Sequence, residues 1–141
     1  MIKLIFPFDP VAQARTRATN RKGKIVVYDP ENTALYKRRV NMVAMKHMLG
    51  KKPLEGPLSV KIRFYRPIQK NLTKKVRNDR LSGKERPIVK PDLSNYVKAI
   101  EDGLNKIVWK DDSLIVHEET DKFYSENPRI EIEVEQWEPE L

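Results

Sequence analysis

Five stretches of the chain have the composition or the period of two that is typical of β-strands. They are Ile2–Phe6, Ile25–Tyr28, Leu58–Tyr65, Leu114–Tyr124 and Arg129–Gln136. The last two are predicted to pair as a final hairpin. In Arg129–Gln136, isoleucine and valine alternate with three glutamates. We interpret these glutamates as the solvated face of a sheet rather than as a metal site. Residues 11–24 are predicted to be a polar, basic loop.

Three further stretches predict helices, at residues 30–49, Leu72–Leu81 and Leu93–Lys106. The first is predicted to have Asp29 as its N-cap and Pro30 at its first helical position, and to end before Gly50. Its apolar residues form two stripes, Leu35, Met42, Met45 and Leu49 on one side and Tyr36, Val40 and Val43 on the other. A helix that is apolar on two sides usually contacts more than one neighbour, so this helix is a candidate subunit contact. The order of the elements, β–β–α–β–α–α–β–β, predicts a single α+β domain.

The third helix has two distinct faces on a helical wheel. Its predicted buried stripe consists of Val97, Ile100, Leu104 and Ile107. Asn95, Lys98, Asp102 and Asn105 share an arc on the opposite side. Lys98 and Asp102 stand four residues apart, so their simplest interpretation is an ion pair on the helix surface.

Composition excludes several classes of protein. The chain has 141 residues, enough for one domain with a modest core. It has no cysteine, which excludes a disulfide scaffold, a Cys-ligated metal site and thiol chemistry. No apolar run approaches the roughly 20 residues of a membrane span, and the first residues do not form a signal peptide. We therefore expect a cytoplasmic protein that is not embedded in a membrane.

The net charge of +8 conceals a strong asymmetry. Residues 1–90 hold 23 Lys and Arg against 6 Asp and Glu, a balance of +17, whereas residues 91–141 hold 5 against 14, a balance of −9. Such a division suggests a polyanion-binding part joined to an acidic part. The alternative is a basic surface that only confers solubility.

Three carboxylates flank the third helix: Asp92 at its start, and Asp111 and Asp112 after its end. Each has a structural interpretation, as an N-cap or as turn residues. Carboxylates also suit Mg²⁺ or Mn²⁺, which cleave phosphodiesters by activating water and stabilising the leaving oxygen. A helix of 14 residues is about 21 Å long, so Asp92 and Asp112 meet only if the chain folds back or across a dimer interface.

Other chemistries have no support in the sequence. His47 and His117 are far apart and lack the spacing of metal ligands, so we interpret both as structural or surface residues. The chain contains no nucleotide-binding glycine motif and no zinc-protease motif.

The block that contains these carboxylates resembles the signature of the RusA Holliday-junction resolvases. The matching residues are 90–99 (KPDLSNYVKA), 102–105 (DGLN) and 108–112 (VWKDD). Residues 72–77 with 81–83 are similar to a basic insert of one branch of that family, and Phe6-Pro7 before a basic loop also fits. The resemblance covers essentially the whole chain.

The resemblance implies a single RusA-like domain over residues 1–141, with the basic insert at about 70–90 and a mixed β-sheet packed by helices. It implies a homodimer that cuts four-way DNA junctions in recombination and repair, using Mg²⁺ or, as a second option, Mn²⁺. The implied catalytic residues are Asp92, Asp112 and Lys98, and the implied metal ligands are Asp92, Asp111, Asp112 and Ser94. Asp112 is the better match to the essential acid of the Asp111-Asp112 pair. Charge alone suggests DNA contacts at Arg15, Arg17, Lys74, Lys75, Arg77 and Lys90.

One position departs from the family pattern. Ser94 stands where the family has a second aspartate, and a hydroxyl can ligate Mg²⁺ without adding negative charge. The site would then bind metal more weakly, recruit another acid such as Asp102, or be catalytically impaired. The first alternative function, motivated by Ser94, is therefore a junction-DNA-binding protein that does not cleave. A second alternative, independent of Ser94, is a basic RNA- or ribosome-associated module whose aspartates are only caps and turns.

Overall fold

A computed structural model describes residues 1–140, in which the chain forms six strands and three α-helices. The strands are β1 (Ile2–Phe6), β2 (Arg17–Arg21), β3 (Lys24–Tyr28), β4 (Leu58–Pro67), β5 (Ile115–Ser125) and β6 (Arg129–Gln136). The helices are α1 (Glu31–His47), α2 (Lys74–Leu81) and α3 (Leu93–Leu104), and a 3₁₀ turn spans Asp112–Leu114. The architecture is the predicted single α+β domain. No helix within residues 1–140 has the length and apolar character needed to cross a membrane.

Four strands form a mixed sheet in the order β1-β6-β4-β5. β4 pairs in parallel with β5 and antiparallel with β6, so the predicted hairpin of the last two strands is wrong. β4 lies between them because its inward side chains are all apolar and fully buried, as the centre of a sheet requires. β5 carries a run of polar and charged residues, from His117 to Lys122, and an edge strand tolerates those because one of its sides faces solvent.

The core lies between one face of this sheet and helices α1 and α3. On α3 the buried residues are Tyr96, Ala99, Ile100, Gly103 and Leu104, whereas Val97 and Ile107 are only partly buried. The buried face is therefore rotated from the predicted stripe. Two of its members are small, and they let α1 approach closely: a Cβ atom added at Gly103 would lie 2.8 Å from Val40 Cγ1.

The two apolar stripes of α1 have different fates. Tyr36 and Val40 are buried against the sheet and α3. Leu35, Met42, Met45 and Leu49 remain 50 to 78 % exposed in the single chain. The helix begins one residue later than predicted, and Pro30 rather than Asp29 is its N-cap residue. The Asp29 carboxylate instead accepts hydrogen bonds from Lys37 Nζ at 2.7 Å and Gln13 Nε2 at 2.9 Å.

β2 and β3 form a separate two-stranded ribbon. β3 confirms the strand predicted at Ile25–Tyr28, whereas β2 lies within residues 11–24, the predicted polar loop. The residues between the strands, Lys22 and Gly23, both have positive φ, 51° and 76°. Positive φ at both central positions is typical of a type I′ turn, which matches the twist of paired strands. The Lys22-Gly23 pair is therefore the sequence feature that would have predicted a hairpin here. Almost all residues of the ribbon are exposed.

The predicted helix in the basic insert is confirmed as α2, with the Thr73 hydroxyl accepting a hydrogen bond from the backbone N–H of Val76. Arginines fasten the insert to the sheet edge. Arg86 lies 3.9 Å above the Phe123 ring and Arg80 lies 4.8 Å above the Tyr124 ring. The insert is thus packed against β5 by cation–π contacts.

Candidate active site

A cleft of about 650 Å³ opens between the base of the β2–β3 ribbon, helices α1 and α3, and the 3₁₀ turn. Six polar residues on its wall have side chains suited to chemistry: Gln13, Lys37, Lys98, Glu101, Asp102 and Asp112. Three of them come from successive turns of α3, because residues three or four apart share a face of a helix. The cleft therefore collects residues from four separate parts of the chain: the loop before the ribbon, α1, α3 and the 3₁₀ turn.

Asp112 is anchored in this cleft by the core. The fully buried Trp109 donates a hydrogen bond from Nε1 to Asp112 Oδ1 at 2.6 Å. Partial burial raises the pKa of the Asp112 carboxyl above its usual value, against the lowering effect of the Trp109 bond, and the nearby charges of Asp111 and Asp102 raise it further. Asp112 is thus a carboxylate with a fixed orientation in a negative environment.

Glu101 is the most perturbed carboxyl of the cleft. Burial, a side-chain hydrogen bond with Glu118 and the negative charges of Glu118 and Asp112 raise its pKa to about 8. Its Oε2 atom is inaccessible to solvent and has no hydrogen-bond partner among residues 1–140. A buried oxygen without a donor is costly, because it has lost its hydrogen bonds to water.

Lys37 connects α1 to the opposite wall of the cleft. Its ammonium lies 2.7 Å from Asp29 and 2.8 Å from Asp102, so Asp102 pairs with Lys37 and the predicted Lys98–Asp102 ion pair is wrong. The hydrogen bond from Lys37 lowers the pKa of Asp29. Burial opposes the charge of Lys37, but its bonds to the two aspartates prevail and its pKa is raised. Lys98 is exposed and forms no ion pair within residues 1–140.

Asp92 and Ser94 lie outside this cleft. Asp92 is the N-cap residue of α3 by its backbone, but its exposed side chain makes no capping hydrogen bond. It lines a neighbouring cleft of about 340 Å³ together with Lys90. Gln13 borders both clefts and separates them. Lys122 Nζ holds the irregular segment that leads to Asp92 by donating to the carbonyls of residues 89 and 91.

Asp111 has a structural part in the turn. Its carboxylate accepts hydrogen bonds from the backbone N–H of Ser113 at 3.1 Å and from Lys106 Nζ at 3.0 Å. Hydrogen bonding from the Ser113 side chain and backbone, together with Lys106, holds the pKa of Asp111 down to about 2. It caps the turn from which Asp112 projects.

The carboxylate oxygens in the larger cleft are of the kind that binds a divalent cation, although the acidic side chains do not surround one point. Among residues 1–140, no three acidic or histidine side chains converge closely enough to hold a metal ion as they stand. Glu101 Oε2 has no hydrogen-bond partner among residues 1–140, and the carboxylates of Glu118 and Asp112 are near enough to raise the pKa of Glu101. Oxygen ligands of this kind suit Mg²⁺ and Mn²⁺.

The predicted DNA-contacting residues differ in their availability. Arg15, Lys74, Lys75 and Lys90 are exposed in loops and on α2, and Arg17 is exposed on β2. Arg77 differs, because its guanidinium pairs with Glu126 and so helps to fasten the insert. Both histidines are exposed; His117 lies 3.7 Å from Glu119 on the outer face of the sheet.

Sequence reasoning missed Asp29, Lys37, Glu101 and Glu118. One of them left a readable signal: on a helical wheel Glu101 lies about 40° from Asn105 and about 40° from Val97, at the border of the polar and apolar faces. A carboxylate at such a border is predicted to be partly buried. The other three left none, because they reach the cleft from distant segments.

Comparison of the sequence with known proteins assigns the chain to a family. The family model described as endodeoxyribonuclease RusA matches residues 7–135. The chain is also 40 % identical over 133 residues to a protein of Bacillus subtilis (strain 168) named "Uncharacterized protein YqaN", with 93 % of each chain covered. The match includes the ribbon, the insert and every residue of the larger cleft. The chain therefore belongs to the RusA family of endodeoxyribonucleases, which resolve Holliday junctions.

Proposed function

We propose that this protein resolves four-way DNA junctions by Mg²⁺-dependent phosphodiester hydrolysis, with Asp112 and Lys98 acting in the larger cleft. The observation that carries the proposal is their position: both line one cleft at the base of an exposed, basic ribbon. An anionic DNA strand and a cation-binding carboxylate would thereby meet at the same place.

Each cleft residue has a role that its environment supports. Asp112, oriented by Trp109, would be a metal ligand. Bound Mg²⁺ would supply an activated water and would stabilise the leaving oxygen. Lys98 is free of ion pairs among the described residues and would place its ammonium against the charge that develops on the phosphate.

Asp92, Asp111 and Ser94 have a less direct part in this proposal. Asp92 has a free carboxylate, but it lies in the neighbouring cleft. It would reach a metal at Asp112 through a shift of the segment around Gln13, or it would face a second copy of the chain. Asp111 would act mainly by shaping the turn, and Ser94 would contribute only a hydroxyl.

We further propose a homodimer that uses the exposed stripe of α1. Four large apolar side chains on one helix face are a candidate protein contact. Replacing Met42 and Met45 by glutamate is expected to leave a monomer in sedimentation analysis. A dimer that survives both replacements would place the interface elsewhere.

The test of the activity is cleavage of a synthetic four-way junction with and without Mg²⁺. We expect Asp112→Asn, Asp92→Asn and Lys98→Ala each to reduce the cleavage rate by about 100-fold or more, since the two aspartates would hold the metal and Lys98 would stabilise the charge that develops on the phosphate. Glu119→Gln is the matched control, because Glu119 points to the opposite face of β5. Undiminished cutting by any of the first three variants would remove that residue from the proposed site.

A junction-binding protein that does not cleave is the second candidate. It is favoured by Ser94 and by the separation of Asp92 from Asp112 into two clefts. This candidate predicts tight junction binding without nicking, and nicking by the Ser94→Asp variant. Robust cleavage by the natural chain would exclude it.

A further inference from the structure

Lys37 ties the base of the β2–β3 ribbon to helix α3. Its ammonium pairs with Asp29 Oδ2 at 2.7 Å and with Asp102 Oδ2 at 2.8 Å. Asp29 directly follows β3, and Asp102 lies in the last turn of α3. The Lys37 side chain is only 15 % exposed. Because an ammonium that is largely removed from water is costly unless it is paired, these two carboxylates determine where it lies.

A second connection runs from Asp29 to the start of the same helix. Gln13 Nε2 donates to Asp29 Oδ1 at 2.9 Å, and the backbone N–H of Gln13 donates to the carbonyl of Asn95 at 2.9 Å. Asn95 lies in the first turn of α3. Asp29 is therefore joined to the first turn of α3 through Gln13 and to the last turn through Lys37. Lys98 lies between these two points on the same face of the helix.

The ribbon depends on this base for its position. Nearly all residues of β2 and β3 are exposed, so little apolar packing holds the ribbon against the rest of the domain. A two-stranded ribbon is at best marginally stable by itself in water. Val27 and Tyr28, which immediately precede Asp29, border the larger cleft together with Lys98 and Asp112. A movement of Asp29 would thus change the distance between the ribbon and the two groups proposed to act in that cleft.

We propose that Lys37 is a positioning residue, which holds the ribbon over the larger cleft by pairing with Asp29 and Asp102. A junction strand that contacts the ribbon is thereby directed onto Lys98 and Asp112. Lys37 itself does not contact the phosphate in this arrangement, because two carboxylates already occupy its ammonium. That role rests on the proposed junction-cleaving function.

The position of the ribbon can be measured directly. The chain has no cysteine, so Asn20→Cys on the ribbon and Glu135→Cys on the main sheet can carry two spin labels. Pulsed EPR then gives their distance distribution, with the labelled protein diluted in unlabelled protein so that distances within one chain dominate. Lys37→Met keeps the apolar stem of the side chain and removes its charge, so we expect a broader distribution. Lys37→Arg keeps a cation and should retain the narrow distribution of the natural side chain.

Two further variants serve as a control and as a safeguard against misfolding. Arg38 is the exposed neighbour of Lys37 and forms no ion pair within residues 1–140, so Arg38→Met is the matched control and should leave the distribution narrow. Asp102→Asn removes the α3 end of the connection at a side chain that is 60 % exposed, where the fold tolerates a change. It should broaden the distribution even if Lys37→Met does not fold.

The consequence for the reaction is measured by single-turnover cleavage of a four-way junction with Mg²⁺. Misplacement by about 1 Å can lower a rate about 100-fold, so we expect Lys37→Met to cut the junction about 10- to 100-fold more slowly. The dissociation constant for the junction should not change, because Lys37 does not contact DNA. Lys37→Arg should recover most of the rate. An ion pair with only a structural part would lower the melting temperature of Lys37→Met and leave both the distribution and the rate unchanged.

The outcomes separate this role from the proposed function. If Lys37→Met keeps a narrow distribution, or cuts as fast as the natural chain, Lys37 does not position the ribbon and the proposed function stands without it. Equal broadening by Arg38→Met, or a distribution that is already broad in the natural chain, overturns the role in the same way. If the natural chain cuts no junction, the proposed function fails and the positioning role fails with it.

Discussion

Asp112 owes its position to Trp109. The indole is fully buried, and its N–H donates to Asp112 Oδ1 at 2.6 Å. The backbone around Trp109 is fixed by Leu54, which exchanges hydrogen bonds with Val108 and Lys110. A partner that orients a metal ligand commonly changes metal affinity by 10- to 100-fold when it is removed. Trp109 is therefore both a core residue and a positioning residue for the carboxylate.

Trp109→Phe should separate the role of Trp109 in the core from its role in positioning the Asp112 carboxylate. The smaller ring destabilises the core by roughly 1–3 kcal/mol and also removes the donor to Asp112. We expect the Mn²⁺ dissociation constant to rise by about tenfold or more in calorimetry. Phe64→Leu is a matched control, because Phe64 is equally buried but contacts Tyr96 rather than Asp112. Equal metal affinity in both variants would show that the indole N–H does not position the carboxylate.

The crossing of α1 and α3 determines the width of the larger cleft. Gly103 has no Cβ at the point where Val40 of α1 makes its closest approach. Asn41 Nδ2 donates to the Gly103 carbonyl at 3.4 Å, and Lys37, one turn earlier, reaches Asp102. The separation of these helices therefore decides whether Lys37 and Asp102 can pair across the cleft.

Gly103→Ala is expected to force the helices apart. The new Cβ would lie 2.8 Å from Val40 Cγ1, so we expect a loss of about 1–3 kcal/mol in the free energy of unfolding. This exceeds the gain of up to about 1 kcal/mol that alanine brings to a helix interior. Val40→Ala removes the Cγ1 atom that the new Cβ would meet. The double variant Gly103→Ala with Val40→Ala should therefore lose less stability than the sum of the two single losses. Strictly additive effects of the two substitutions in urea denaturation would contradict the close contact.

Across the whole molecule, the two signs of charge have different places. The glutamates of β6 lie on the face of the sheet that points away from the core, as predicted; the register places Glu133 beside Lys3 and Lys61, and Glu131 beside Arg63. The exposed basic residues lie on the ribbon, in the loop before it and on α2. Several arginines of the insert pair with acids of the chain, so the charge balance of +17 overstates the positive charge that is free to contact phosphates.

Lysines and arginines of the insert should thus differ in DNA binding. Lys74→Ala with Lys75→Ala is expected to weaken junction affinity and to reduce the slope of log affinity against log salt concentration by about 1 to 2. Arg77→Ala should leave that slope unchanged and lower stability by up to about 1 kcal/mol, since Arg77 pairs with Glu126 at a partly exposed position. Titrations of a labelled junction at several salt concentrations measure the affinity and its salt slope for each variant. A slope reduced by Arg77→Ala would show that this pair opens for DNA.

The sequence by itself determined the features that depend on neighbours along the chain. Periodicity and local composition predicted β1, β3, β4, β5 and β6, all three helices and the α+β class, because a helix or strand displays its faces in its own residue spacing. The block at residues 90–112 indicated the family, and the +17 and −9 halves indicated a polyanion partner.

Only the tertiary structure decided which distant segments meet. It placed β4 between β5 and β6, turned Asp102 toward Lys37, and put Asp92 in a cleft apart from Asp112. It also brought Glu118 against Glu101 from an edge strand. No local pattern encodes such contacts, because they depend on strand order and on how closely α1 and α3 pack, and both follow from the shared core.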